Sequence, residues 1–89
     1  MRVNFDPEKN ERNIRLRGLP FECAYEFDFD SAYTWKDERR NDHEDRWVSI
    51  GFLGKRLHVL CYLIIPPDEI RVISFRKAND RERRIHEQA

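Results

Sequence analysis

An α+β fold built on a small antiparallel sheet is what this sequence predicts, and three observations carry that reading. Residues 46–65 form two runs of alternating side chains joined by Gly54-Lys55, the pattern of a β-hairpin. A third run, Ile70-Arg71-Val72-Ile73-Ser74-Phe75, is β-branched and aromatic, the composition of an internal strand covered on both faces. The flanking segments carry helix signals instead: Asp6-Pro7 ahead of residues 7–17 with Gly18 behind, and Asn79 with Glu82 three residues on. Eighty-nine residues make one domain, 1–89, with a modest core and a thin stability margin.

In chain order, residues 2–5 form a short first strand with Val3 and Phe5 on one face. The helix over 7–17 offers only Ile14 and Leu16 as large apolar residues, so it lies on the surface; Lys9, Arg12, Asn13 and Arg17 fall near one side of it. Pro20 opens a second short helix over 21–27, which Phe21, Ala24, Tyr25 and Phe27 mark as buried. Residues 31–36 read as extended, with Tyr33 and Trp35 on one face. The segment 37–45, with Arg39, Arg40 and His43, has no apolar anchor and is expected to be the most mobile.

In the run 56–65 the odd positions are apolar, whereas the even ones include Arg56, His58 and Tyr62, so one face is expected to pack on helices and the other to offer polar groups. Pro66-Pro67-Asp68 turns the chain into the closing strand, which pairs antiparallel with this one. Three or four main strands, the short N-terminal strand, two N-terminal helices and a charged C-terminal helix complete the expectation.

Net charge is zero, but unevenly distributed. Residues 1–18 carry +2, 19–45 carry −6 and 46–89 carry +4, so two basic ends that meet in the fold can bind phosphate despite the neutral total. Cys23 and Cys61 belong to no metal-ligand spacing and to no disulfide framework, which fits a reducing compartment. The longest apolar run, 57–65, is too short to span a membrane, and a cytoplasmic protein is expected.

Ile73-Ser74-Phe75-Arg76-Lys77-Ala78 followed by Arg81-Glu82-Arg83-Arg84 resembles the C-terminal signature of the BrnT family of bacterial toxins. Phe5-Asp6-Pro7-Glu8-Lys9, Asn13, Gly18, Phe21-Glu22 and Asp45-Arg46-Trp47-Val48-Ser49-Ile50-Gly51 extend the resemblance across nearly the whole chain, in order. The family implies a RelE-like fold and a ribonuclease that inhibits translation. It also implies a cognate BrnA-like antitoxin, which covers the active surface in a heteromeric complex and makes any DNA contact. One departure stands out: members commonly have Lys-His-Gly where this chain has Leu16-Arg17-Gly18.

Cleaving RNA without a metal or cofactor needs a base at the ribose 2′-hydroxyl, cationic donors around the phosphate and an acid for the departing 5′-oxygen. Arg71 and Arg76 are the leading candidates for the phosphate, since arginine binds two oxygens at once and stays charged. The competing reading for each is a structural ion pair. A regular pleat sends the two to opposite faces, and only a bulge brings both to one. His58 is the candidate acid or base, with His86 another where the family often has tyrosine. Lys9 matches a basic family position and completes the catalytic set. Arg17, Arg46, Lys77, Arg81 and Arg84 are the candidate RNA contacts. Two alternatives stay open: a toxin-fold subunit that has lost cleavage but retains antitoxin binding and autoregulation, and an unrelated RNA-binding domain stacking bases on Trp47 and Tyr62.

Overall fold

The computed structural model describes residues 1–38 and 45–89, so Arg39, Arg40, His43 and most of the segment expected to be mobile lie outside the described residues. The elements are β1 (Arg2–Phe5), α1 (Pro7–Arg17), a 3₁₀ helix (Phe21–Glu26), β2 (Tyr33–Asp37), β3 (Arg46–Leu53), β4 (Arg56–Ile65), β5 (Glu69–Lys77) and α2 (Asp80–Glu87). The five strands form one sheet in the order β1-β5-β4-β3-β2.

The sheet is mixed rather than antiparallel. β2, β3, β4 and β5 pair antiparallel in succession, but β1 runs parallel to β5, Arg2 opposite Glu69 through Phe5 opposite Val72. The chain start is tied to the head of β5: the Arg2 amide donates to the Asp68 carbonyl at 2.8 Å, and the terminal ammonium lies 3.0 Å from the Asp68 carboxylate. These partners are more than sixty residues apart, so no local pattern announces the pairing.

The second helix is 3₁₀ rather than α. Phe21, Ala24 and Phe27 recur every third residue and all are buried, and a three-residue turn stacks them on one side where an α-helix would fan them out. They join Leu60, Tyr62, Ile70, Val72 and Phe75 in one apolar layer. The opposite layer gathers Val48, Ile50, Leu57, Val59 and Ala78, with Ile85 of α2 packed on it.

β4 is therefore covered on both faces, which corrects the expected polar face. His58, Leu60 and Tyr62 are all buried, their polar atoms satisfied inside: Tyr62 Oη lies 2.8 Å from Ser49 Oγ, and His58 Nδ1 lies 2.9 Å from the Arg56 carbonyl oxygen. Asn13 also differs from its expected place beside exposed cations. It is buried, and its Nδ2 donates to the carbonyls of Leu19 (2.8 Å) and Phe75 (2.9 Å), pinning α1 to β5.

Gly51 sets the distance between β3 and the loop after the 3₁₀ helix. A Cβ there would stand 2.7 Å from Phe27 Cζ, 2.9 Å from Ala32 Cβ and 3.0 Å from the Asp28 carbonyl oxygen. Gly51→Ala is expected to cost about 1–3 kcal/mol in a urea melt; an unchanged midpoint would show that the loop yields freely.

Candidate functional site

The β5 ladder contains a bulge. Cys61 pairs with Ser74 but Tyr62 pairs with Val72, which leaves Ile73 as an extra residue. The parity of the strand changes there, so Val72 and Phe75 both enter the apolar layer under the 3₁₀ helix, whereas Arg71 and Arg76 both reach the α2 face. Arg71 stands opposite Leu63 and Arg76 opposite Val59, four residues apart on β4, a separation of about 13 Å along the strand. Sharing a face, they do not share a pocket.

Each is also engaged within the chain. Arg71 Nη1 donates to Asn4 Oδ1 at 3.0 Å. Arg76 grips Glu82 with both ends of its fork, Nη1 to Oε1 at 2.8 Å and Nη2 to Oε2 at 2.7 Å. Glu82 Oε1 also accepts the Asn79 amide at 2.9 Å while Asn79 Oδ1 accepts from the Glu82 amide, so the guanidinium is built into the capping box of α2. Arg46, opposite Asp37 and Leu63, lies on the same face. Arg81 lines a pocket there with Trp35, and Arg84 is exposed farther along α2.

The other face holds a different set. A cleft of about 380 Å³ is lined by Arg17, Gly18, Leu19, His58 and Lys77. A second cleft of about 210 Å³, lined by Lys9, Arg12, Asn13, Leu16, Arg17, Phe21 and Ile73, adjoins it at Arg17. Gly18 makes the junction by ending α1 in the left-handed conformation, φ 64°, its amide donating to the Ile14 carbonyl. The structure thus brings together Lys9, Arg17, His58 and Lys77, and leaves Arg71, Arg76, Arg46, Arg81 and Arg84 on the opposite side. None of Lys9, Arg12, Arg17 and Lys77 has an acidic partner among the described residues. Sequence reasoning passed over Arg12 and Leu16 as site residues; their i, i+4 relation on α1 was the available signal.

The protonation of His58 is shifted by its surroundings. A carbonyl oxygen can only accept, so Nδ1 carries the hydrogen toward Arg56, and the neutral ring keeps a lone pair at Nε2. Burial pushes its pKa below the usual 6.5, and the charges of Arg56 and Lys77 push the same way, against the backbone bond. At neutral pH this is an uncharged base among cations. Elsewhere, His86 Nε2 lies 3.0 Å from the Ser31 carbonyl and its ring packs on Phe52, which fastens the end of α2. Among the described residues no group of three or more His, Cys, Asp or Glu side chains forms a metal-binding cluster, and no helix is long and apolar enough to cross a membrane.

A family model described as the ribonuclease toxin, BrnT, of type II toxin–antitoxin systems matches residues 5–82. Among solved structures, that of the Brucella abortus ribonuclease toxin BrnT is similar, with a TM-score of 0.70 and 26% identity, covering 90% of this chain and 99% of that one. No curated protein matches the sequence.

Two titrations test the electrostatics. Because the folded pKa of His58 is lowered, the stability it contributes is complete above about 6.5 and is lost as pH falls through the lower folded value, with its ring resonances moving in that range. The Arg76 fork likewise holds Glu82 below its usual 4.5, so that contribution disappears only under more acidic conditions. Glu82→Gln is expected to cost about 1–3 kcal/mol at pH 7, and urea melts should show the difference closing as pH falls below 4.5.

Proposed function

The chain belongs to the BrnT family of ribonuclease toxins of type II toxin–antitoxin systems, and we propose that it is itself an active, metal-independent endoribonuclease with its catalytic centre at His58. One observation carries the proposal. The family commonly places histidine where this chain has Arg17, and His58 lines the same cleft as Arg17, so β4 brings back the imidazole that α1 lacks. Arg17 in place of histidine then removes no imidazole from the cleft but changes which element supplies it, whereas Leu16 leaves the second cleft without the family's lysine.

In this reading Nε2 of neutral His58 takes the proton of a ribose 2′-hydroxyl as that oxygen bonds to the adjacent phosphorus. Arg17 and Lys77 hold the non-bridging oxygens as charge builds on them, and the departing 5′-oxygen takes a proton from the Lys77 ammonium. Lys9 and Arg12 continue the cationic track along α1 and guide the RNA backbone. Arg76 acts at one remove by holding α2 against the sheet. The fold is read as RelE-like, the compartment as the cytoplasm, and inhibition of translation as the consequence of cleavage. A BrnA-like antitoxin neutralises the toxin and supplies the DNA contact of the complex.

The alternative, a subunit without cleavage, is favoured by Leu16, 73% exposed at the mouth of the second cleft where the family commonly has lysine. A swap separates the two. His58→Ala is expected to reduce cleavage of single-stranded RNA by about 10²- to 10⁴-fold, and adding Arg17→His to restore much of it. Activity should persist in chelator and fall as acid protonates His58. A folded His58→Ala protein that cleaves at the wild-type rate would remove the imidazole from the mechanism, and wild-type protein without cleavage would leave the non-catalytic reading.

A further inference from the structure

The second cleft on the α1 face holds a polar group that the cleavage chemistry does not use. Lys9, Arg12, Asn13 and Leu16 recur at three- and four-residue intervals, so one side of α1 forms a wall of it. Ile73 faces them from β5, because the bulge turns this half-buried residue to the same side as Val72. Leu16, 73% exposed, and Ile73 supply apolar surface, while Lys9, Arg12 and Arg17 supply charge. The volume, about 210 Å³, falls below the roughly 300 Å³ at which drug-sized pockets begin and suits a single ring system.

Asn13 is the buried polar residue of this cleft, 9% exposed. Its Nδ2 donates to the carbonyls of Leu19 and Phe75, which occupies both hydrogens of that nitrogen. Carbonyl oxygens only accept, so the amide cannot turn over and present nitrogen to the cleft instead. No described residue donates to Oδ1, yet this oxygen keeps contact with solvent. The cleft therefore contains one hydrogen-bond acceptor of fixed orientation, set between apolar side chains and beside three cations.

We propose that this cleft seats one nucleobase of the RNA strand whose backbone passes His58. Asn13 Oδ1 accepts from the exocyclic amino group of that base, so bases bearing an amino group are preferred to uracil. The surroundings select this ligand. A bare phosphate would set its oxygens against the lone pairs of Oδ1 and gain nothing from Leu16 or Ile73. A flat base covers both apolar side chains and leaves its phosphates to Lys9, Arg12 and Arg17. Uracil offers only a ring N–H held between two carbonyl oxygens, which repel Oδ1, whereas an amino group projects from the ring edge. The family's lysine at position 16 would bring a further cation here; leucine makes that wall a contact for a base. The inference rests on the two clefts, joined at Arg17, forming one RNA track.

Binding is measured apart from cleavage with 2′-fluoro hexamers, which lack the nucleophilic hydroxyl: adenylate, purine riboside (adenine without its amino group) and uridylate. The adenylate hexamer is expected to bind the full chain about tenfold more tightly than either of the others, the discrimination that one hydrogen bond supplies. Removing the amino group from the ligand avoids Asn13→Ala, which would strand two carbonyls and destabilise the fold itself. Leu16→Ala, at an exposed position, should weaken the adenylate and purine riboside hexamers alike, by about threefold, and leave their ratio unchanged. Equal affinity for adenylate and purine riboside overturns the proposal, as does failure of all three hexamers to bind or unchanged affinity in Leu16→Ala. Cleavage of the matching ribonucleotide hexamers reports separately on His58: amino-dependent binding without cleavage removes the catalytic mechanism and leaves the base site standing, whereas cleavage without amino-dependent binding removes the base site alone.

Discussion

The extra residue in β5 is the constraint on which the rest of the molecule depends. Between Arg71 and Arg76 the strand has to deliver two apolar side chains, Val72 and Phe75, to one layer and two guanidinium groups, at 71 and 76, to the other. A strict alternation cannot do this, because 72 and 75 differ in parity. The bulge at Ile73 forfeits one rung of the ladder and keeps an arginine out of an aromatic layer, where an unpaired charge would cost several kcal/mol. Phe75 is fully buried as a result, and its carbonyl is free to accept from Asn13.

That strand then fastens a helix to each face by polar contacts rather than by broad apolar burial. α1 has few apolar residues, and the amide of Asn13 does the holding, bridging Leu19 and Phe75. α2 is equally poor in apolar groups, and the Arg76–Glu82–Asn79 knot ties its first turn. Both attachments are short-range and directional, so they place α1 and α2 closely even though neither helix buries much. Asn13 is buried and costly to leave half-satisfied, and the partly shielded Arg76–Glu82 fork adds two charge-assisted hydrogen bonds, so each helix is held at a defined position.

The consequence for chemistry is a division of the cations by availability. Arg71 and Arg76 on the α2 face are engaged in the architecture, whereas Arg17 and Lys77 line a cleft with a neutral imidazole, Lys9 and Arg12 line the adjoining one, and none of the four has a carboxylate partner among the described residues. One face therefore uses its arginines to hold the fold, and the other keeps its cations beside two clefts.

By itself the sequence determined the local elements. The caps at Asp6, Gly18 and Asn79, the hairpin turn at Gly54 and the antiparallel pairing of β3, β4 and β5 follow from neighbouring residues, and each is where those residues placed it. The three-residue spacing of Phe21, Ala24 and Phe27 was equally legible, although it reads as 3₁₀ only once all three are known to be buried. Tertiary structure alone decided the rest. The parallel seat of β1 depends on a partner strand more than sixty residues away, and the faces of Arg71 and Arg76 on a register shift that no composition specifies. The meeting of His58 with Arg17 depends on both, because a cleft belongs to residues that distant segments bring together, and side-chain alternation within one strand carries no information about what lies above it.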